Sequence, residues 1–170
     1  DVYKRQPKTK LSKIPFPKAK ETFQRIFIDT IPGSKDHLQV GEHFNCYLMI
    51  VDQHSRWISL VGMKSYSSES AIQAITKWAR GERGLTTLNS IEYIRSDSGT
   101  QFRSEQFQKF CGQHFIECEL AAPEHQEMNS ICEANWKRVK EMSKRMLINA
   151  SLSHHFRHLA YLYSICLLYT

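Results

Sequence analysis

Three acidic residues stand at positions in this sequence where a carboxylate could do chemistry. Asp29 lies inside an apolar segment (IFIDT), Asp97 directly follows another (EYIRS), and Glu133 stands in the first turn of a predicted long helix. An acid within a buried strand is costly unless a partner compensates its charge, and a divalent cation is one such partner. Mg²⁺ prefers hard oxygen ligands and often takes few protein carboxylates together with substrate phosphate oxygens. Carboxylates gathered from two strands and a helix would suit two ions and in-line displacement at phosphorus.

Each acid also has an ordinary structural explanation. Asp97 before Ser98 and Gly99 is a good turn former, and a glutamate in the first turn of a helix complements the helix dipole. Taken singly, therefore, none of the three indicates a function. Asp52 is a fourth acid of the same kind, but it falls in a predicted hairpin turn, and we interpret it as structural.

The apolar pattern predicts the elements that must position these acids. Strands are predicted at residues 23–31, 44–51, 56–61, 91–95 and 115–119. Helices are predicted from Ser67 or Ser68 to about Gly81, after Ser104, from the end of a polar loop at 121–129 to about Ala150, and from 152 to about 163. Three antiparallel strands followed by strand–helix crossovers predict an α/β fold, a five-stranded mixed sheet with helices on both faces. This element order is that of the ribonuclease H-like fold.

The segments outside the predicted core differ from it in composition. Residues 7–20 (PKTKLSKIPFPKAK) hold three prolines and five lysines, which predicts an extended basic linker over residues 1–22. Residues 1–6 (DVYKRQ) and 164–170 (SICLLYT) resemble translated adaptor scars, and we leave them outside the core domain, predicted at 23–163.

Composition narrows the class of protein without identifying it. The 170 residues are 41% apolar, which suits one globular domain, and no run of about 18 apolar residues predicts a membrane span. The net charge of +6 permits a polyanionic partner. Five cysteines form no CxxC pair, which favours a reducing compartment over a disulfide framework. Cys111 and His114 have a ligand-like interval, but no second pair completes a zinc site, and packing of Cys111 in the core is favoured.

Spacing changes the interpretation of the acids. Asp97 and Glu133 are separated by 35 residues, and the surrounding segments resemble the D,D(35)E integrase core of retroviruses and retrotransposons. SDSGTQF (96–102) is similar to the family's SDNGTQF, VDQHSRW (51–57) to its VDxFSRW hairpin, and APEHQEMNSICE (122–133) to its loop-and-helix signature. The similarity covers about residues 23–150 with its motifs in order. It departs from the family at Ser98, where Asn is usual, and at Ser130, where Gly is usual.

A helical wheel identifies a face that is suited to DNA. With Cys132 as origin, the apolar face of the long helix contains Cys132, Trp136, Val139, Met142, Met146 and Ala150. Glu133 shares a stripe at the edge of that face with Lys137, Lys140 and Lys144. Such a stripe is either a solvated basic surface or a track for phosphates, and the resemblance implies DNA contacts at Lys137 and Lys140. Gln126 and Asn129, in the preceding loop, are either further DNA-binding groups or ordinary polar loop residues.

The resemblance implies a polynucleotidyl transferase that processes DNA 3′ ends and joins them to target DNA. Asp29, Asp97 and Glu133 would bind Mg²⁺ or Mn²⁺, as two ions. The partners implied are element DNA ends, target DNA and further copies of the chain, in the nucleus and in a virus-like particle or the cytoplasm. Two alternatives stay open. One is an inactive or domesticated copy that binds DNA without chemistry, and it is suggested by Ser98 and Ser130. The other is a ribonuclease H-like nuclease.

Overall fold

The computed structural model describes residues 18–33, 43–83, 85–120 and 130–168. Its strands are β1 (Arg25–Pro32), β2 (Cys46–Asp52), β3 (Ile58–Met63), β4 (Tyr93–Ser96) and β5 (Glu117–Leu120). Its helices are α1 (Ser68–Trp78), α2 (Leu85–Ser90), α3 (Thr100–Arg103), α4 (Glu105–Gln113), α5 (Ser130–Asn149) and α6 (Arg157–Leu167). A π-helical stretch, Ala79–Arg83, extends α1, and a 3₁₀ turn, His154–Phe156, precedes α6.

The five strands form one mixed sheet in the order β3-β2-β1-β4-β5. β2 pairs antiparallel with both β1 and β3, whereas β4 runs parallel to β1 and to β5. The predicted α/β fold is therefore confirmed, including the three antiparallel strands and the crossovers that follow them. β1 lies at the centre of the sheet, between an antiparallel and a parallel neighbour.

Each face of the sheet has its own hydrophobic core. Because strand side chains alternate between faces, Ile26 and Ile28 of β1 join the core that α1 and α4 cover. Phe27 and Ile31 of the same strand point the other way, into a core shared with residues of α5 and α6. Asp29 falls between Phe27 and Ile31 in this alternation, so its side chain belongs to the face that α5 covers.

Two helices begin at the predicted caps. Ser67 accepts a hydrogen bond from the backbone N–H of Ser70 at 3.2 Å, and Ser104 accepts one from the backbone N–H of Phe107 at 3.1 Å. Each bond satisfies a backbone donor that the first turn of a helix leaves unpaired. These caps fix where α1 and α4 start.

Several predicted boundaries were wrong, for local reasons. Phe115 was predicted to open the last strand, but it has φ 58° and is 94% exposed, and the strand begins at Glu117. Arg56 was predicted to open the third strand, but it has φ 64° and belongs to the turn before it. Left-handed backbone does not continue a strand. The short helices α2 and α3 were not predicted.

The C-terminal helix extends past the predicted end of the core at residue 163. α6 begins at Arg157 rather than 152 and continues to Leu167, with Ser164 and Ile165 buried. Whatever the origin of residues 164–170, those two side chains pack in the domain. Ala150, predicted on the inner face of the long helix, is exposed because α5 ends at Asn149. Within the described ranges, no helix has the length and apolar character needed to cross a membrane.

Candidate active site

Strand register brings two of the predicted acids together. β1 and β4 run parallel with Ile28 opposite Ser96, so the next residues along the two strands are Asp29 and Asp97. Adjacent strands lie about 4.8 Å apart. The two aspartates therefore stand side by side where the parallel strands end.

The first turn of α5 brings the third acid to the same place. Cys132 is fully buried in the core that contains Phe27 and Ile31, the residues on either side of Asp29 on that face of β1. Glu133 follows Cys132 directly and is exposed. A buried cysteine thus anchors the helix against β1, and the adjacent glutamate is near enough for its charge to act on Asp29.

The three acids lie within electrostatic reach of one another. The pKa of Asp29 is raised from 3.8 to about 6, first by burial and also by the charges of Asp97 and Glu133, against a backbone hydrogen bond at Thr30 that lowers it. Burial also raises the pKa of the Cys132 thiol, with contributions from all three carboxylates. Such mutual repulsion among carboxylates is what a cation would relieve.

The donor set fits a hard divalent cation in its chemistry, since all three side chains offer carboxylate oxygens. In the described part of the chain, however, no three Asp, Glu, His or Cys side chains are grouped closely enough to hold one ion together. Asp97 instead accepts a hydrogen bond through Oδ1 from the backbone N–H of Gly99, at 3.1 Å. Ion binding by the three acids requires their side chains to turn toward one another.

Asp52 is structural, as predicted. It is 1% exposed, and its Oδ1 accepts a hydrogen bond from the backbone N–H of Phe23 at 2.9 Å. Its Oδ2 accepts bonds from the backbone N–H and the hydroxyl of Ser55, at 2.7 and 2.5 Å. The carboxylate thus ties the turn after β2 to Phe23, two residues before β1.

The lysine stripe of α5 lies on the surface. Lys137, Lys140 and Lys144 are all exposed, as is Glu133, while Cys132 and Val139 are buried on the inner side. The wheel therefore placed the stripe correctly. Gln126 and Asn129 lie outside the described residues, as do most of the predicted linker and residues 169–170.

A buried charge cluster that the sequence pattern did not predict lies on the same face of the sheet as Asp29 and Asp97. Arg25 and Arg95 are 3% and 5% exposed, and both lie within ion-pair distance of Glu119. Arg25 donates through Nη1 to both Glu119 oxygens at 2.8 and 2.9 Å, and its guanidinium lies over the Tyr93 ring. The alternation of side chains along β4 could have indicated this cluster. Arg95 lies two residues before Asp97 and therefore on the same face of the sheet. The cluster joins three strands and helps to hold their register.

Two smaller contacts were also missed. Gln101, in the SDSGTQF motif, donates through Nε2 to the Thr30 hydroxyl at 3.1 Å. This bond connects α3 to β1 at the residue after Asp29. Cys111 is 1% exposed, as its predicted core packing requires, and its sulfur lies 3.6 Å from that of Cys118 rather than against His114.

The sheet order defines a ribonuclease H-like domain, and two of the predicted acids lie side by side where the pairing of β1 with β4 ends. The chain belongs to the integrase core domain family, which matches residues 19–126. That match includes Asp29 and Asp97 and ends before Glu133, so the third acid rests on its spacing and its place on α5.

Known proteins similar to this chain agree with the family. The Pro-Pol polyprotein of feline foamy virus is 24% identical over 132 residues, which make up 78% of this chain and 10% of that polyprotein. This chain thus spans about a tenth of the length of that relative.

Two solved structures share the fold. The integrase catalytic core domain of HTLV-2, in complex with magnesium and in dimeric form, has a TM-score of 0.58 and 17% identity, over 85% of this chain and 84% of that one. The simian T-cell lymphotropic virus intasome, in complex with the PP2A regulatory subunit B56 gamma, has a TM-score of 0.62 and 16% identity, over 84% of this chain and 47% of that one.

Proposed function

We propose that this chain is the catalytic core of a retroelement integrase that processes DNA 3′ ends and joins them to target DNA. The observation that carries the proposal is the convergence of Asp29, Asp97 and Glu133 around Cys132 at the parallel edge of the sheet. The family is in general one of polynucleotidyl transferases, which is the class of reaction that such a site suits.

The acids would hold Mg²⁺ or Mn²⁺, as two ions. When bound, such ions supply activation of the attacking oxygen and stabilisation of the leaving oxygen at phosphorus. The chain's own contribution is positioning. β1 and β4 fix two carboxylates side by side, and the first turn of α5 brings the third. A magnesium complex is recorded for the similar HTLV-2 core domain, which supports the choice of ion.

The lysine stripe of α5 would position the DNA. From Glu133 to Lys144 the helix rises about 16 Å, enough to follow several phosphates of one strand. Lys137, Lys140 and Lys144 are exposed along this path, with Gln126 and Asn129 as further contacts from the preceding loop. Phosphate contacts of this kind position a duplex without reading its sequence.

A second copy of the chain is the proposed partner at the outer surface of α6. A groove of about 380 Å³ lies between α6, β3 and the end of α1, and Leu159 and Leu162 on its α6 side are 44% and 37% exposed. The similar HTLV-2 domain is recorded as dimeric. We expect Leu159→Glu to make the chain monomeric in sedimentation, while Ile148→Glu, at an exposed apolar site on α5, leaves its oligomeric state unchanged. Equal sedimentation of both variants and the unaltered chain would contradict this interface.

A second candidate function is DNA binding without chemistry, in an inactive or domesticated copy. The observation that favours it is Ser98, at a position where the family usually has Asn. Ser130 no longer supports it, because this residue begins α5 and is not among the described non-glycine residues with positive φ. A glycine in place of Ser130 would relieve strain only if the backbone there had a positive φ, and it does not. As the place of action of the active enzyme we propose the nucleus, with the virus-like particle or cytoplasm beforehand.

The test is Mg²⁺-dependent joining of labelled DNA ends to a plasmid. We expect joining by the unaltered chain, its loss in Asp97→Asn, and its retention in Glu117→Gln, which makes the same change at an exposed site at the far end of β5. Circular dichroism checks that each variant is folded. Joining by folded Asp97→Asn would remove Asp97 from the mechanism, and DNA binding without joining would favour the inactive copy. Cleavage of an RNA–DNA hybrid without joining would instead indicate a nuclease.

A further inference from the structure

A groove between the second half of α5 and the start of α6 lies beyond the site described above. Its volume is about 430 Å³. Lys140 and Lys144 line one side and Arg157 the other, and no acidic residue is among the described residues that line it. The groove therefore has a positive rim and suits an anionic ligand.

The groove continues the lysine stripe that begins at the acids. Lys140 and Lys144 belong both to the stripe and to the groove wall. A strand that follows the stripe from the reacting phosphate reaches the groove after about 16 Å, or about five steps of B-form DNA. The groove and the acids thus lie along one path on the same helix.

Apolar side chains form much of the remaining wall, beside Ser143, His154 and Tyr161. Leu147, Ile148 and Leu152 line it, and Ile148 and Leu152 are 64% and 47% exposed. At its base, the Ser143 hydroxyl donates to the carbonyl of Ala160 at 3.1 Å. This contact links α5 to α6 beside the groove.

We propose that this groove binds one unpaired nucleotide of the DNA substrate, about five positions from the reacting phosphate. Lys144 and Arg157 hold its phosphates, and the base packs against Ile148 and Leu152. This inference rests on the proposed function, because it assigns a further subsite to the same DNA substrate.

The combination of positive and apolar side chains along the groove favours an unpaired nucleotide over other ligands. A paired duplex presents phosphates to the protein and keeps its bases stacked inside, so exposed aliphatic walls would gain nothing from it. An unpaired base offers an apolar face, and single-strand sites combine such packing with a positive track for the backbone. An acidic peptide would satisfy the same charges, but the continuity of the groove with the stripe favours DNA.

The experiment compares two fluorescent DNAs by anisotropy, a blunt duplex and the same duplex with an unpaired extension of about six nucleotides, which is long enough to place an unpaired nucleotide in the groove. We expect the unaltered chain to bind the extended DNA about fivefold more tightly, the size of effect that packing of one base gives. Leu152→Ser should abolish this preference and leave binding of the blunt duplex unchanged. Arg157→Glu should abolish it as well, whereas Lys109→Glu, the same charge change at an exposed site on α4, should preserve it.

The outcomes separate this inference from the proposed function. Equal binding of the two DNAs, or a preference that survives both groove variants, would overturn the nucleotide site while leaving integration intact. A preference that survives both groove variants would indicate that the groove binds another ligand, such as an acidic peptide. Failure of the chain to bind either DNA would overturn the proposed function as well. Thermal unfolding of each variant checks that a lost preference does not come from a lost fold.

Discussion

Asp29 gives a prediction whose sign and size both follow from the structure. Its pKa is raised from 3.8 to about 6, first by burial and then by the charges of Asp97 and Glu133. A carboxyl whose pKa is higher in the folded state binds more protons there than in the unfolded chain, so the folded state loses stability as the pH rises. The loss begins near the unfolded pKa, at about pH 4, and is complete above about pH 6.

The magnitude can be worked from the same values. The difference between 3.8 and about 6 corresponds to about 3 kcal/mol for a wholly buried group. Because Asp29 is partly exposed, solvent screening reduces this to about 1–2 kcal/mol. Asn is nearly the same size and carries no charge. We therefore expect Asp29→Asn to stabilise the fold by about 1–2 kcal/mol at about pH 7.5 and to have little effect at about pH 4.

Urea unfolding in the presence of EDTA measures this difference, since the chelator removes cations that would compensate the charge. Glu117→Gln is the matched control, because it makes the same chemical change at an exposed strand position away from the acids. Asp29→Asn should gain stability with rising pH relative to the unaltered chain, and the control should not. An Asp29→Asn variant less stable than the unaltered chain at about pH 7.5 would refute the reasoning, because burial and repulsion would then not be what raises the pKa.

Three further predictions concern stability, each measured by urea unfolding. Ser143→Ala removes a hydroxyl that is 1% exposed and bonded across the helix interface, and should cost about 1–2 kcal/mol; no loss would mean that α5 and α6 are held by apolar packing alone. Glu119→Ala leaves the buried Arg25 without its carboxylate and should cost about 3 kcal/mol, whereas an unchanged midpoint would show that the cluster is hydrated. Gly62→Ala would place a methyl group 2.4 Å from the Phe44 ring and should cost about 1–3 kcal/mol; a neutral result would show that the ring moves freely.

Much of the site could be predicted from the sequence, because local chemistry determines it. An acid inside an apolar strand and an acid directly after one are visible in the pattern, and the parallel crossover then places Asp29 beside Asp97. The cap at Ser104 and the turn acid Asp52 also depend on neighbours within a few residues, apart from the bond of Asp52 to Phe23. The lysine stripe follows from helix periodicity alone.

The rest depends on contacts between residues distant in sequence. Ser143 falls within the inner face of the wheel, about 20° from Cys132 at 100° per residue, but its polar side chain kept it out of the predicted core. It is buried opposite Ser164, with the two hydroxyl oxygens 2.7 Å apart. Arg25 and Glu119 are 94 positions apart in the sequence, so no local sequence pattern predicts their ion pair. The start of β5 after the left-handed residue Phe115 also depends on backbone geometry that composition does not record.

The proposed function requires that Asp29, Asp97 and Glu133 together bind a divalent cation. Calorimetric titration with Mn²⁺ tests it directly, on the unaltered chain, Asp29→Asn, Asp97→Asn and Glu133→Gln, with Glu117→Gln as control. We predict that Mn²⁺ binds the unaltered chain and the control alike, and that each of the three site variants binds it at least about tenfold more weakly, as expected when one of few ligands is removed. Equal binding of Mn²⁺ by all five proteins would contradict the claim.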